Sequence, residues 1–423
     1  MFNRSGSRLP QELIDNIIDY SRGSVRDLKS LSLIGRPWLL RSRKHLFHSL
    51  RLNGTYRSNI VAEAISSLQA VLPLVQHLTL NSSIPSKPLQ LSDAALTSIG
   101  QSFPNLLRLT LSGVFIEEGK AGDIPMPKAS LRNLTLENVM FVDVLGMLRS
   151  LSNPLYSHLH SLSVDDITFF RNNHRSLSYH KVSFQQPAQI QEMVLGSVKA
   201  PVLKALWGSS SPLDVCSSLA RVSLCNRGTF DCADIALGQR KLWSNVTHLT
   251  CSLAWRSAWF FVPLGSLALR LFLLVNVKLF PANITHLTMT YKTLARLGAE
   301  SRLSHLISTS RKLESLVLVF YWPQRTDSER LNTIMSDFDE DLAAIAGALP
   351  VEIYLRFVLK SEHSADFALM ERLHAMFLRL DDALCLRKEE IDEEGTTPLS
   401  IEVKEISDQE YRPDLRLGLG FEY

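Results

Sequence analysis

The chain has 423 residues, 45% hydrophobic and 21% charged, with a formal net charge of +3. That composition suits a folded protein with a large core or one long array, and it excludes low-complexity and collagen-like chains. The small net charge hides an asymmetry, since residues 1–60 carry 11 Lys/Arg against 4 Asp/Glu and residues 321–423 carry 11 against 23. The basic residues are scattered without aromatic interleaving, so nucleic acid is not an expected partner. The five cysteines, Cys216, Cys225, Cys232, Cys251 and Cys385, match no zinc spacing. With no secretory signal at the start, free thiols in a cytoplasmic or nuclear compartment are the expectation. The sequons at Asn133, Asn245 and Asn283 then carry no weight.

The first fifty residues predict three short helices. Pro10 suits the first turn of a helix, and Leu13, Ile14, Ile17 and Ile18 follow as one apolar stripe. Gly23 and Ser24 interrupt, and Val25, Leu28 and Leu31 recur at helical spacing. Gly35 and Pro37 interrupt again before Trp38, Leu39, Leu46 and Phe47. Helices this small cannot bury all those side chains among themselves, so part of the set must face something else. Two readings stay open at this level: a cap over the first unit of an array, or a docking module.

From residue 75 the chain repeats one phrase, apolar-x-x-apolar-x-apolar. Its copies are Val75-Gln-His-Leu78-Thr-Leu80, Leu106–Leu111, Leu131–Leu136, Leu159–Val164, Leu219–Leu224, Val246–Cys251, Ile284–Met289 and Leu313–Leu318. The long gap before Leu219 predicts a degenerate copy near Val202–Trp207, and residues 165–200 read as a polar excursion. Apolar residues bracketing a single residue point inward from a short strand, so each copy predicts a strand with a returning helix or turn. Units that cannot bury their faces alone stack into a curved solenoid. Between the apolar pair stand Thr79, Thr110, Thr135, Ser163, Ser223, Thr250, Thr288 and Val317, facing outward. Exposed strand positions favour such residues whatever they bind. The neighbouring outward column holds His77, Arg108, Asn133, Ser161, Arg221, His248, His286 and Ser315, without a carboxylate. Donors and partial positive charge on one wall would match an acidic or phosphorylated segment. His77, Arg108, Asn133, Arg221, His248 and His286 are therefore the candidate substrate-binding residues.

Residues 258–277 are long and apolar, yet Arg270 and Pro263 interrupt them, so no membrane span is expected. Leu331 to Leu349 has helical spacing, Val351–Leu359 alternates like a strand, and Phe367 to Leu384 is a second amphipathic helix. These elements, residues 331–386, read as a C-terminal α/β cap, and residues 387–423 as an exposed acidic tail. Asp337, Asp339 and Asp341 have calcium-loop spacing, but Leu342 and Ala348 replace the required glycine and glutamate. No nucleophile elbow, His-Glu-x-x-His or phosphate loop is present, so no catalytic residue and no cofactor is expected. His158, His160, His174 and His180, with Asp165 and Asp166, are too irregularly spaced to predict a metal site.

Leu9, Pro10, Glu12, Leu13, Ile17, Leu28, Leu31, Leu33, Trp38, Leu46 and Phe47 together give residues 8–50 a pattern that resembles an F-box. Gly35 and Pro37 depart from that pattern in the second loop. The F-box followed by an irregular leucine-rich-repeat-like array, residues 60–330, resembles the large fungal F-box families. The resemblance implies that Leu9, Pro10, Leu13, Ile17, Leu31, Trp38 and Phe47 contact a Skp-type adaptor and, through it, a cullin. It implies a non-catalytic substrate receptor of a cullin-RING ubiquitin ligase, with an unidentified protein substrate on the array. The rival expectation is a repeat scaffold that binds a protein partner without assembling a ligase.

Overall fold

A computed structural model of the chain describes residues 9–55, 59–84, 86–117, 127–171, 188–196, 198, 202, 205–206, 213–214, 218–225, 245–253, 283–291, 312–321, 328–349, 351–360, 373, 375–383 and 400–406. The fold is mixed α/β, built on parallel sheet. The chain forms two compact units, one of Met1–Gln189 with Ser209–Leu213, the other of Ile190–Gly208 with Asp214–Tyr423.

The N-terminal unit opens with α1 (Gln11–Tyr20), α2 (Val25–Ile34) and α3 (Arg36–Leu46). Ser24 caps α2, its hydroxyl accepting the Asp27 N–H at 3.3 Å, and Gly35 and Pro37 shape the start of α3. Ile14, Ile18 and Leu28 form the centre of this bundle, with Leu31, Trp38 and Leu46 packed against them. After β1 (Ser49–Gly54) come α4 (Ile60–Ser67), β2 (His77–Ser82), β3 (Leu89–Ser92), α5 (Asp93–Ser102), β4 (Arg108–Ser112), β5 (Val114–Glu117), β6 (Asn133–Phe141), α6 (Val144–Leu151) and β7 (Ser161–Phe169). Strands β1, β2, β4, β6 and β7 lie side by side, all parallel. Ser92 and Asp143 cap the helices that follow their strands, accepting the N–H of Ala95 and Gly146.

The C-terminal unit continues the same logic with β9 (Glu192–Leu195), β11 (Arg221–Cys225), β12 (His248–Leu253), β13 (His286–Tyr291), β14 (Ser315–Tyr321), α7 (Ser328–Ala348), β15 (Glu352–Lys360) and β16 (Ser400–Ile406). The two-residue strands β8 (Ala188–Gln189), in the N-terminal unit, and β10 (Leu213–Asp214) pair with each other in a separate small sheet. From β9 through β16 neighbouring strands are again parallel. Phe320, Phe338, Phe357 and Phe377 pack together beneath this sheet with neighbouring ring centroids 5.2 to 6.2 Å apart, Phe320 stacked on Phe357 and edge to face with Phe338. Asp339, buried in α7, accepts the N–H groups of Arg379 and Leu380 at 3.1 and 2.8 Å and so ties α7 to the helical residues 378–383.

Each of the eight copies recognised in the sequence starts a strand at its third residue, and its first and fourth residues are buried. The strands lock together where they begin. The carbonyl of His48 accepts the N–H groups of both Gln76 and His77, that of Gln76 accepts Leu107 and Arg108, and that of Leu107 accepts Arg132 and Asn133. The other unit repeats the device, Ala220 accepting Thr247 and His248, and Thr247 accepting Thr285 and His286. One forked acceptor per repeat fixes register without help from any side chain.

Four expectations need correction. The sheet begins at β1, before residue 60, because Phe47-His-Ser-Leu50-Arg-Leu52 is itself a copy of the phrase and β1 pairs with β2. The missing copy is Ile190-Gln-Glu-Met193-Val-Leu195, which forms β9, whereas Val202, Ala205 and Leu206 are buried with helical backbone. The excursion is shorter than residues 165–200, since β7 runs to Phe169 and β9 starts at Glu192. The acidic tail contributes β16, where Arg356 Nε donates to Glu402 at 2.6 Å across the pair, so β15 does not end the sheet. Residues 258–277 lie outside the described residues.

Candidate functional site

The stripe Leu13, Ile14, Ile17 and Ile18 divides between two faces of α1. Ile14 and Ile18 turn inward, at 5% and 0% exposure, while Leu9, Leu13 and Ile17 are 52%, 49% and 42% exposed. Leu13, Ile17 and Tyr20, spaced i, i+4, i+7, make an outward apolar row on α1, and Leu9 is exposed just ahead of the helix. Pro10, beside Leu9, is exposed too. Leu31 and Trp38 are half-buried against the bundle core, and Phe47 is half-buried between α3 and β1. Tyr20, Val25, Leu33, Ile34 and Leu40 are also exposed, and the sequence pattern did not single out Tyr20, Ile34 or Leu40. Continuing the helical spacing past Ile17 at i+3 would have found Tyr20.

A clamp sets the angle between α1 and α3. Arg41 pairs with Asp15 at 3.2 Å and grips Asp19 with two nitrogens, Nε at 2.8 Å from Oδ1, and His45 lies 2.8 Å from the same carboxylate. The hydrogen bonds from Arg41, then from His45, hold the Asp19 carboxyl well below the usual range. The row of α1 is therefore presented by a bundle braced on both sides, by an apolar core and by an ionic fork.

The outward face of the N-terminal sheet carries Ser49, His77, Arg108, Asn133 and Ser161 in one register row and Arg51, Thr79, Thr110, Thr135 and Ser163 in the next. The predicted residues Arg108 and Asn133 are direct cross-strand neighbours here, as are His77 and Arg108. His48 and His77 meet edge to face with ring centroids 4.3 Å apart, and His48 Nε2 lies 3.1 Å from Gln76 Oε1. Burial, then the neighbouring His48 and Arg108, push His77 down to about 4.

The corresponding row of the C-terminal sheet reads Glu192, Arg221, His248, His286, Ser315 and Glu352. Arg221, His248 and His286 are brought side by side as the sequence predicted. The row is not free of carboxylates, however. Glu192 lies 4.0 Å from Arg221, and Glu352 accepts a hydrogen bond from Tyr354 Oη at 2.7 Å. The sequence missed both because they belong to strands whose phrase was not recognised or starts one residue short. The expected positive wall is also weaker than its composition, because burial lowers His248 as well as His77 and leaves both neutral at pH 7.

Among the described residues no group of three or more His, Cys, Asp and Glu side chains is placed to hold a metal. Of the loop histidines, His158 and His160 are exposed, with His160 Nδ1 2.7 Å from the His158 carbonyl, and His174 and His180 lie outside the described residues. No helix among the described residues is long and apolar enough to cross a membrane.

No protein-family model matches the chain, and no curated protein matches it. Among solved structures it is similar to a crystal structure of a Bacteroides fragilis protein, at 13% identity and a TM-score of 0.34, over 72% of this chain and 73% of that one. A likeness that loose assigns the chain neither a fold family nor a function.

Proposed function

We propose that the chain is a substrate receptor of a cullin-RING ubiquitin ligase, with α1–α3 as an F-box docked on a Skp-type adaptor and the strand repeats as a leucine-rich-repeat-like array that holds a protein substrate. The observation that carries this reading is the row of Leu13 and Ile17, with Leu9 and Pro10 just ahead of it, which takes no part in the core of Ile14, Ile18 and Leu28. An apolar row left outside a braced bundle calls for a partner. Four of the seven residues that the F-box resemblance assigns to the adaptor lie there. Such a receptor performs no chemistry itself. It would hold a substrate lysine beside a ubiquitin thioester and raise its effective concentration.

The second reading, a scaffold that binds a partner without assembling a ligase, has its own support. Phe47 opens a copy of the repeated phrase and α3 runs directly into β1, as a cap over the first strand would. Co-purification with a Skp-type adaptor separates the two. The receptor reading expects a one-to-one complex, lost in Leu9→Ala/Pro10→Ala and in Leu13→Glu/Ile17→Glu. Those side chains are outside the core, so the variants fold. An adaptor that ignores the native chain, or binds it and both variants equally, sinks the receptor reading and leaves the scaffold.

A further inference from the structure

Within the outward row of the C-terminal sheet, one arrangement goes beyond what either reading requires. Asn245-Val-Thr-His-Leu-Thr250 and Asn283-Ile-Thr-His-Leu-Thr288 differ at one position and lead into β12 and β13, where His248-Leu-Thr250 and His286-Leu-Thr288 lie in register. The register puts His248 beside His286, and their rings lie parallel, 4.2 Å between centroids and 8° between planes. Each ring is held at the same atom by its own neighbour. Thr247 Oγ1 is 2.9 Å from His248 Nδ1, and Thr285 Oγ1 is 2.8 Å from His286 Nδ1.

These threonines also choose the tautomer. Thr247 Oγ1 lies 3.3 Å from the Ala220 carbonyl, and Thr285 Oγ1 lies 3.4 Å from the Thr247 carbonyl. A carbonyl only accepts, so the hydroxyl proton goes there. The imidazole then donates Nδ1–H to the hydroxyl oxygen, and both contacts are satisfied; the opposite tautomer satisfies one. The lone pair is left on Nε2 in both rings. Metal-binding histidines are prepared in this way, with the far nitrogen donating to an oxygen that fixes ring and tautomer.

We infer that His248 and His286 form a two-imidazole site for a borderline divalent transition metal such as Ni2+ or Zn2+, bound through both Nε2 atoms and completed by solvent. Imidazole nitrogen suits these ions, which bind it at about 2.0–2.1 Å. Binding draws the two Nε2 atoms together and opens the parallel stack into a V. The charges nearby are divided. Glu314, just ahead of β14, favours positive charge at His248, and Arg221 opposes it. Arg221 is itself drawn toward Glu192. Two protein ligands make a weak, open site suited to reversible occupancy rather than a metal required for folding.

The test is a calorimetric titration of the full chain with Ni2+ at neutral pH, beside His248→Phe, His286→Phe and the double variant. Phenylalanine keeps the ring stack and removes the ligand. The expected result is that each variant loses the same single equivalent of metal, the double variant loses no more than that one, and His77→Phe loses none. Thr247→Val keeps both imidazoles but frees a ring, and the affinity of that equivalent falls about 10-fold or more. It also serves if the phenylalanine variants fail to fold. Equal binding by native chain and variants, no binding by the native chain, or losses that add to two in the double variant would each overturn the site.

Discussion

The two units use the same strand-starting phrase and then part company immediately after it. In three repeats of the N-terminal unit a single residue with positive φ comes just after the phrase: Gly113 at +62° just past β4, Asn138 at +49° within β6 and Asp166 at +53° within β7. The three fall level in the register, and after each the chain resumes as a second strand segment, Val114–Glu117, Val139–Phe141 and Ile167–Phe169. Val114, Ile116, Val139, Phe141 and Ile167 on these segments are buried, so the first two of these repeats carry a second apolar pair into the core and the third carries Ile167, with Phe169 half-buried. In the C-terminal unit β14 runs straight from Ser315 to Tyr321 with no such residue. There Val319 and Tyr321, which alternation places on the outward face, form a buried cluster with Val358. A left-handed residue thus decides whether a repeat bends to bury more of itself or continues flat. Gly, Asn and Asp tolerate that conformation where β-branched residues do not.

Truncating the shared part of the repeat breaks either unit. Leu111→Ala and Leu318→Ala, at side chains with no exposure, should each cost about 2–5 kcal/mol in denaturant melts. A small loss at both would show that the phrase does not carry the core. Next in size is a contact peculiar to the C-terminal unit. Asp339→Ala should cost roughly 1–3 kcal/mol, because it orphans the N–H groups of Arg379 and Leu380, while Asp339→Asn keeps part of the bond. Equal losses in the two variants would argue against the hydrogen bonds.

The bend itself is tested by Gly113→Ala, which should cost about 1–2 kcal/mol through its positive φ alone. The added Cβ would also stand 3.2 Å from Ser82 Cβ. Asn138→Gly should be nearly neutral and Asn138→Val costly. A benign Gly113→Ala would mean that the bend is not imposed at that residue.

The smallest effect concerns pH. His77 titrates near 6.5 in the unfolded chain and about 4 in the fold, so between those values the unfolded state binds more protons. Stability of the N-terminal unit should fall as pH drops from neutral through that window, and His77→Asn should flatten the slope. Asp19 acts lower down. Its depressed pKa adds stability above the ordinary carboxylate range, and that stability is lost on stronger acidification. An unchanged slope in His77→Asn would refute the assignment.

The sequence by itself determined the periodic parts: three short helices before residue 50, a strand at every recognised copy of the phrase, and the helix and strand after Leu331. These follow from spacing, because helix and strand periods separate apolar from polar positions within a few residues. It also placed His77, Arg108 and Asn133 in one register row of one unit and Arg221, His248 and His286 in one row of the other. What it could not decide rests on partners distant in the chain. Whether Ile14 or Ile17 faces the core depends on where α2 and α3 pack. Whether a histidine is charged depends on the burial and charges that the register brings beside it. Glu192 entered the row through a copy of the phrase that its isoleucine, methionine and valine disguised, and β16 was hidden in an acidic tail with little periodicity. The roles of Gly113, Asn138 and Asp166 became visible only when the parallel register set three different residue types level with one another, since a shared backbone conformation leaves no common letter in the sequence.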